Sequence, residues 1–184
     1  MRVIIISVFV LNFVFAGNFI FNGNFEDSLN YWNCYAQGET YTIHTDKMYE
    51  IEDPDSEVYV GRLDRFITAI SQTCYIPNFN LNLSFKAKVV ARCADTSHPA
   101  PAVASIIISY LDIDENILGE TRLLNYCDTL YWTPSPKLHL IELSDTNWIA
   151  DTINIAEELQ NLPGVNPAEI YKLRITLLGQ SYGC

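Results

Sequence analysis

The residues best suited to chemistry in this chain are aromatic. Tyr131 and Trp132 stand in "TLYWTPSP", a loop flanked by Pro134 and Pro136. A large ring in such a loop lacks the packing partners a strand supplies, and loops carry function disproportionately. Flat aromatic rings stack on the C–H faces of sugars, while Asn, Gln, Arg and carboxylates take the hydroxyls. Arg62, Arg122 and Asn125 fall on strands or at their ends, where they would line a sugar-binding face beside Tyr131 and Trp132. The competing reading of the Tyr-Trp pair is a plug over one end of the fold.

Catalytic constellations are harder to find. The histidines are His44, His98 and His139, and none sits in an HExxH spacing. GxSxG, GxGxxG and P-loop patterns are missing as well. His139 in "KLHLIEL" alternates with Leu138 and Leu140 and reads as a strand residue facing solvent. Two acids that meet in space remain the one route to sugar hydrolysis; the expectation is that the chain is not an enzyme. Acids also raise the question of ions. "NGNFED" (22–27) is either an ordinary turn between strands or half of an ion site. Asp112, Asp114 and Asn116 begin like a calcium loop, but the central Gly and the closing Glu are missing, which favours a hairpin turn.

The elements that must position these residues are strands. In "LNLSFKAKVVA" (81–91), Leu83, Phe85, Ala87 and Val89 alternate with Ser84, Lys86 and Lys88, the period-two pattern of a half-buried antiparallel strand. "ETYTIHT" (39–45), "FITAISQTCYIP" (66–77), "AVASIIISYLDI" (102–113) and "IYKLRITLLG" (170–179) read likewise. One helical turn or two is predicted near 156–161, where Ile155, Leu159 and Leu162 keep helical spacing before Pro163-Gly164. The expected fold is all-β: an antiparallel two-sheet β-sandwich of the jelly-roll type with at most that short helix. Its inward set includes Leu83, Phe85, Val89, Ile106, Ile108, Leu173, Ile175 and Leu177.

Composition sets the compartment and narrows the partners. Residues 1–16 have a basic Arg2, an apolar run and small residues at Val14 and Ala16, the pattern of a secretory signal peptide cut after Ala16. The expected product is a secreted or cell-surface protein, with residues 17–184 forming one domain and nothing embedded in a membrane. Acids outnumber bases 22 to 11, for a net charge of −11, which disfavours nucleic acid and anionic lipid. Cys34, Cys74, Cys93, Cys127 and Cys184 follow the signal; an exported chain can form disulfides, and the odd count leaves a thiol free or bonded to another chain.

Three segments together carry a family likeness. "NFIFNGNFEDSLNYWNC", with Asn22, Gly23, Phe25, Glu26 and Trp32, resembles the first strand and turn of galactose-binding-like jelly rolls, which include carbohydrate-binding modules of xylanases and cellulases. Gln72 and Pro77 in 67–89, and Trp148 in "TNWIADTINI", match later positions of that pattern. The resemblance implies a structural calcium held by the turn's Glu, here Glu26, with Asp27 or Asp145 standing in for an aspartate that the family places at its end. It also implies a polysaccharide or other glycan as partner and packing roles for Trp32 and Trp148. The expected function is that of a secreted noncatalytic carbohydrate-binding module. The alternative is a structural subunit of an extracellular layer, filament or tube, self-assembled through sheet edges.

Overall fold

A computed structural model describes residues 18–50, 53–62, 65–92 and 101–182. The segment read as a signal peptide, Cys93 and Cys184 lie outside them. In chain order the strands are β1 (Asn33–Ala36), β2 (Tyr41–Glu50), β3 (Asp53–Arg62), β4 (Phe66–Tyr75), β5 (Asn82–Ala87), β6 (Ala102–Leu111), β7 (Ile117–Cys127), β8 (Leu138–Glu142), β9 (Ile149–Asn154) and β10 (Lys172–Ser181). The short helix α1 (Ile155–Glu158) follows β9 and runs into a 3₁₀ turn at Leu159–Asn161. Asn154 caps it, its Oδ1 accepting from the Glu157 N–H at 3.0 Å. The all-β class and the helix near 156–161 therefore match the sequence reading.

The described strands form a six-stranded sheet, ordered β1-β4-β10-β6-β7-β8, and two two-stranded sheets, β2-β3 and β5-β9. One core joins them. Leu83, Phe85 and Ile153 from β5-β9 and Val58 and Val60 from β3 pack with Ile70, Ile106, Ile108, Leu123, Leu173, Ile175 and Leu177 of the large sheet. Burying each such side chain contributes about 1.5–3 kcal/mol. The eight positions expected to face inward are all buried, so the period-two register is correct. This arrangement is consistent with a β-sandwich.

One pairing departs from the expected antiparallel scheme. β8 runs parallel to β7, with Glu120 opposite Leu138 and Leu124 opposite Glu142. A parallel neighbour needs a crossover instead of a tight hairpin, so the chain must travel back from Cys127 to the level of Glu120 before β8 begins. Residues 128–137 make that return. Their end lies close against β7: Glu120 N–H donates to Lys137 O at 2.8 Å, and a Cβ on Gly119 would stand 2.4 Å from Val165 Cγ2 and 3.0 Å from Lys137 O. Only glycine fits there.

The first loop has a structural role. Asn22, Phe25, Ser28 and Tyr31 all take positive φ, at 50°, 55°, 54° and 71°, conformations that non-glycine residues keep only when their surroundings enforce them. Buried Gln72 does so. Its Oε1 accepts from Phe21 N–H at 2.6 Å, and its Nε2 donates to Phe21 O at 2.8 Å and Tyr31 O at 3.2 Å. Trp32, buried against Phe25, donates from Nε1 to Asn22 O at 3.2 Å. The matched residues Gln72 and Trp32 thus hold the loop to the sheet.

Candidate functional site

Alternation along the large sheet sends Ile106, Ile108, Leu123 and Leu177 to the core and Ser109, Arg122, Glu120 and Arg174 to the opposite, outer face. The crossover 128–137 brings Trp132 to that face. The Arg122 guanidinium lies 4.2 Å from the Trp132 ring centroid, within cation–π range. Glu120, two residues back on the same face, accepts from Arg122 Nε at 3.0 Å and also pairs with its Nη2. Ser109 Oγ donates to the other Glu120 oxygen at 2.8 Å. Arg122 Nη1 has no partner among the described residues.

Tyr182, at the end of β10, completes the cluster. Its ring meets Tyr131 edge-on with centroids 4.7 Å apart. Burial raises the Tyr182 hydroxyl above its ordinary value, while a hydrogen bond with Trp132 and the charge of Arg122 pull the other way. Tyr131 remains 58% exposed and Trp132 is half-buried. The exposed ring of the sequence pair is therefore Tyr131, and Trp132 partly serves as the plug. The result is a bare ring beside an arginine with a free N–H edge and a carboxylate. Such a set can stack on a sugar and offer both a donor and an acceptor to its hydroxyls.

The other anticipated residues are placed elsewhere. Asn125 accepts from Ala91 N–H at 2.8 Å and donates to Leu143 O at 2.8 Å; both ends of its amide tie loops to β7, which corrects its assignment to a binding face. Arg62 is 0% exposed. It donates to the carbonyls of Gln37 and Arg65 and lies over the Phe66 ring. It is a buried brace for the β3–β4 corner and not a ligand-facing cation. His139 also differs from its reading. Leu138 and Leu140 take the outer side, and His139 Nδ1 pairs with buried Glu158. Thr121 Oγ1 donates to Glu158 at 2.9 Å and shares a contact of 3.1 Å with Tyr110 OH. Asn161 Nδ2 reaches the second Glu158 oxygen at 3.2 Å.

Calcium requires six to eight oxygens. In the first loop, the carbonyls of Ser28 and Asn30 instead accept from Asn22 Nδ2, at 2.8 and 3.1 Å. An amide donor thus sits where those oxygens converge. Glu26 and Asp27 are exposed, and Asp145 Oδ1 accepts from the N–H and side-chain amide of Asn147 in its own loop. Among the described residues no group of three or more His, Cys, Asp or Glu could hold a metal. The residues present do not fit the calcium that the resemblance implies. Cys34 and Cys74 carry free thiols, and Cys127 is disulfide-bonded. Burial pushes the Cys74 thiol up to about 11. Among the described residues no helix is long and apolar enough to cross a membrane.

Glu120 and Tyr182 were not anticipated. Glu120 had a visible signal, two residues from Arg122 on an alternating strand; Tyr182 had none, because only the folded chain brings it to residue 131.

The fold and site together describe an all-β chain with an aromatic and cationic cluster on one sheet face. No family model matches the chain, and no curated protein matches it. Among solved structures it resembles the enzymatically active domain of tailspike protein 4 from bacteriophage CBA120, at 12% identity and a TM-score of 0.34, over 90% of this chain and 20% of that one. The chain thus spans about a fifth of that structure's length. The expectation of a noncatalytic chain is corrected on this point: the structure found is by name an enzymatically active domain, and motif spacing does not test for acids that meet only in space. A likeness at this TM-score transfers no fold, activity or substrate.

Proposed function

We propose that this chain is an exported glycan-binding protein whose outer sheet face, around Tyr131, Trp132, Tyr182 and Arg122, takes a neutral polysaccharide. The galactose-binding-like jelly roll is the finer fold that belongs to this reading. The observation that carries it is the exposed Tyr131 ring beside the Arg122–Trp132 stack, with Glu120 next to the guanidinium. A net charge of −11 disfavours polyanions, and the Arg122–Glu120 pair is locally neutral. Export rests on residues 1–16.

Affinity electrophoresis of the full chain through gels containing soluble xylan, mixed-linkage β-glucan or galactomannan tests the proposal. Retardation by at least one polymer is expected, with Tyr131→Ala migrating freely at an unchanged melting temperature. Free migration of the parent chain in all three gels would contradict it.

A further inference from the structure

The outer face carries a second cluster built like the first. Tyr75 is 64% exposed, and Lys172 Nζ lies 4.6 Å from its ring centroid. Glu115 accepts from Lys172 Nζ at 3.0 Å and from Arg174 Nη2 at 3.0 Å. Arg174 Nε donates to Thr73 Oγ1 at 3.0 Å, and its Nη1 has no partner among the described residues. Both clusters thus hold a ring stacked with a cation, a carboxylate bonded to an arginine, a hydroxyl in the network and an unused guanidinium edge.

Register places the two clusters in line. Thr73 is opposite Arg174, Arg174 opposite Ser109, and Ser109 opposite Glu120. The row therefore crosses β4, β10, β6 and β7 on one face. Between the clusters, β6 contributes Ser109 and Ile107, which are covered by their neighbours at 3% and 6% exposure, while Arg174 and Arg122 stand partly exposed on either side. Strand spacing of about 4.8 Å puts β4 and β7 roughly 14 Å apart, more than one sugar ring covers. Each end offers a guanidinium N–H beside a carboxylate oxygen, the donor–acceptor pair that two neighbouring hydroxyls match.

We propose that Tyr75, Lys172, Arg174 and Glu115 form the second half of the ligand site, so that the ligand is an internal stretch of a linear neutral polysaccharide lying across the strands and not a single terminal sugar. This rests on the glycan-binding reading of the Tyr131 cluster. Every cation in the row already bonds a carboxylate, Arg122 with Glu120 and both Lys172 and Arg174 with the shared Glu115. The second cluster keeps one net positive charge, and the chain's overall charge of −11 still disfavours a polyanion.

Calorimetric titration of the full chain with di- and hexasaccharides prepared from the retained polysaccharide tests the inference. The hexasaccharide is expected to bind at least tenfold more tightly than the disaccharide. Tyr75→Ala and, separately, Arg174→Ala should erase that advantage and leave disaccharide affinity and melting temperature unchanged. Equal affinity for the two lengths, or an advantage that survives both substitutions, would overturn the second half-site while the Tyr131 reading stands. If no polysaccharide is retained, the glycan reading itself fails, and this inference with it.

Discussion

The two faces of the six-stranded sheet are made by the same strands and handle polar groups in opposite ways. On the inner face, Tyr110, Thr121 and Glu158 are buried within the core and bonded to one another, and the chain of contacts ends on His139 at the edge. Burial is the main reason the Tyr110 hydroxyl is held well above its ordinary value. On the outer face, Arg122 and Arg174 are each bonded on one side and keep an open edge. A buried polar network stabilises only when its members are satisfied. A surface network that leaves donors open has capacity for a ligand. The contrast separates residues that hold the sheet from residues that present it.

Substitutions on each face sharpen that contrast, and the largest effects belong inside. Ile106→Ala, at a site with no exposure, should lower stability by about 3–4 kcal/mol in a denaturant melt. Glu158→Ala leaves the Thr121, Asn161 and His139 donors without their acceptor and should cost about 2–3 kcal/mol. A loss under half a kcal/mol there would show that the network does not fasten β8. Half-buried Trp132, on the outer face, should give an intermediate effect: Trp132→Ala should cost about 2 kcal/mol, less than the 3–5 typical of an enclosed ring. Tyr131→Ala should change stability by at most about 0.5 kcal/mol and remove polysaccharide retention. Should Tyr131→Ala unfold the chain as readily as Ile106→Ala, the distinction between the faces would collapse.

The smallest effect is electrostatic. Hydrogen bonding and charge from Lys172, with help from Arg174, hold the Glu115 carboxyl below its ordinary value. The contact is therefore fully formed at neutral pH and lost as pH falls through that depressed midpoint. A carbon-detected NMR titration should place the Glu115 midpoint below the ordinary glutamate value of about 4.3. A midpoint at or above it would remove the ion pairs from the description of the second cluster.

Much of this was legible along the chain because alternation is local. Leu83, Phe85 and Val89 declare their face within a single strand, and the capped turn at 154–158 likewise depends on neighbours in sequence. Nonlocal pairing was not legible. Nothing in "KLHLIEL" says that β8 lies parallel to β7, so His139 was assigned to solvent by its leucine neighbours when those leucines take the outer side. Arg62 looked like a surface cation because no local pattern reports that carbonyls from Gln37 and Arg65 converge on it. Asn125 resembled a ligand for the same reason. The Tyr131-Trp132 loop was recognisable from its prolines, but the direction of each ring depends on Arg122 and Tyr182, ten residues and fifty-one residues away along the chain.

The most direct test of the outer face as the binding surface is backbone-amide NMR of the full chain during titration with the retained polysaccharide's hexasaccharide. Shifts are expected at residues 120–122 and 131–132, at Tyr182, and across β10 at 172–176, with the β2–β3 hairpin and the Glu158–His139 edge unmoved. Shifts concentrated on the hairpin or on that edge, with 131–132 silent, would contradict the assignment.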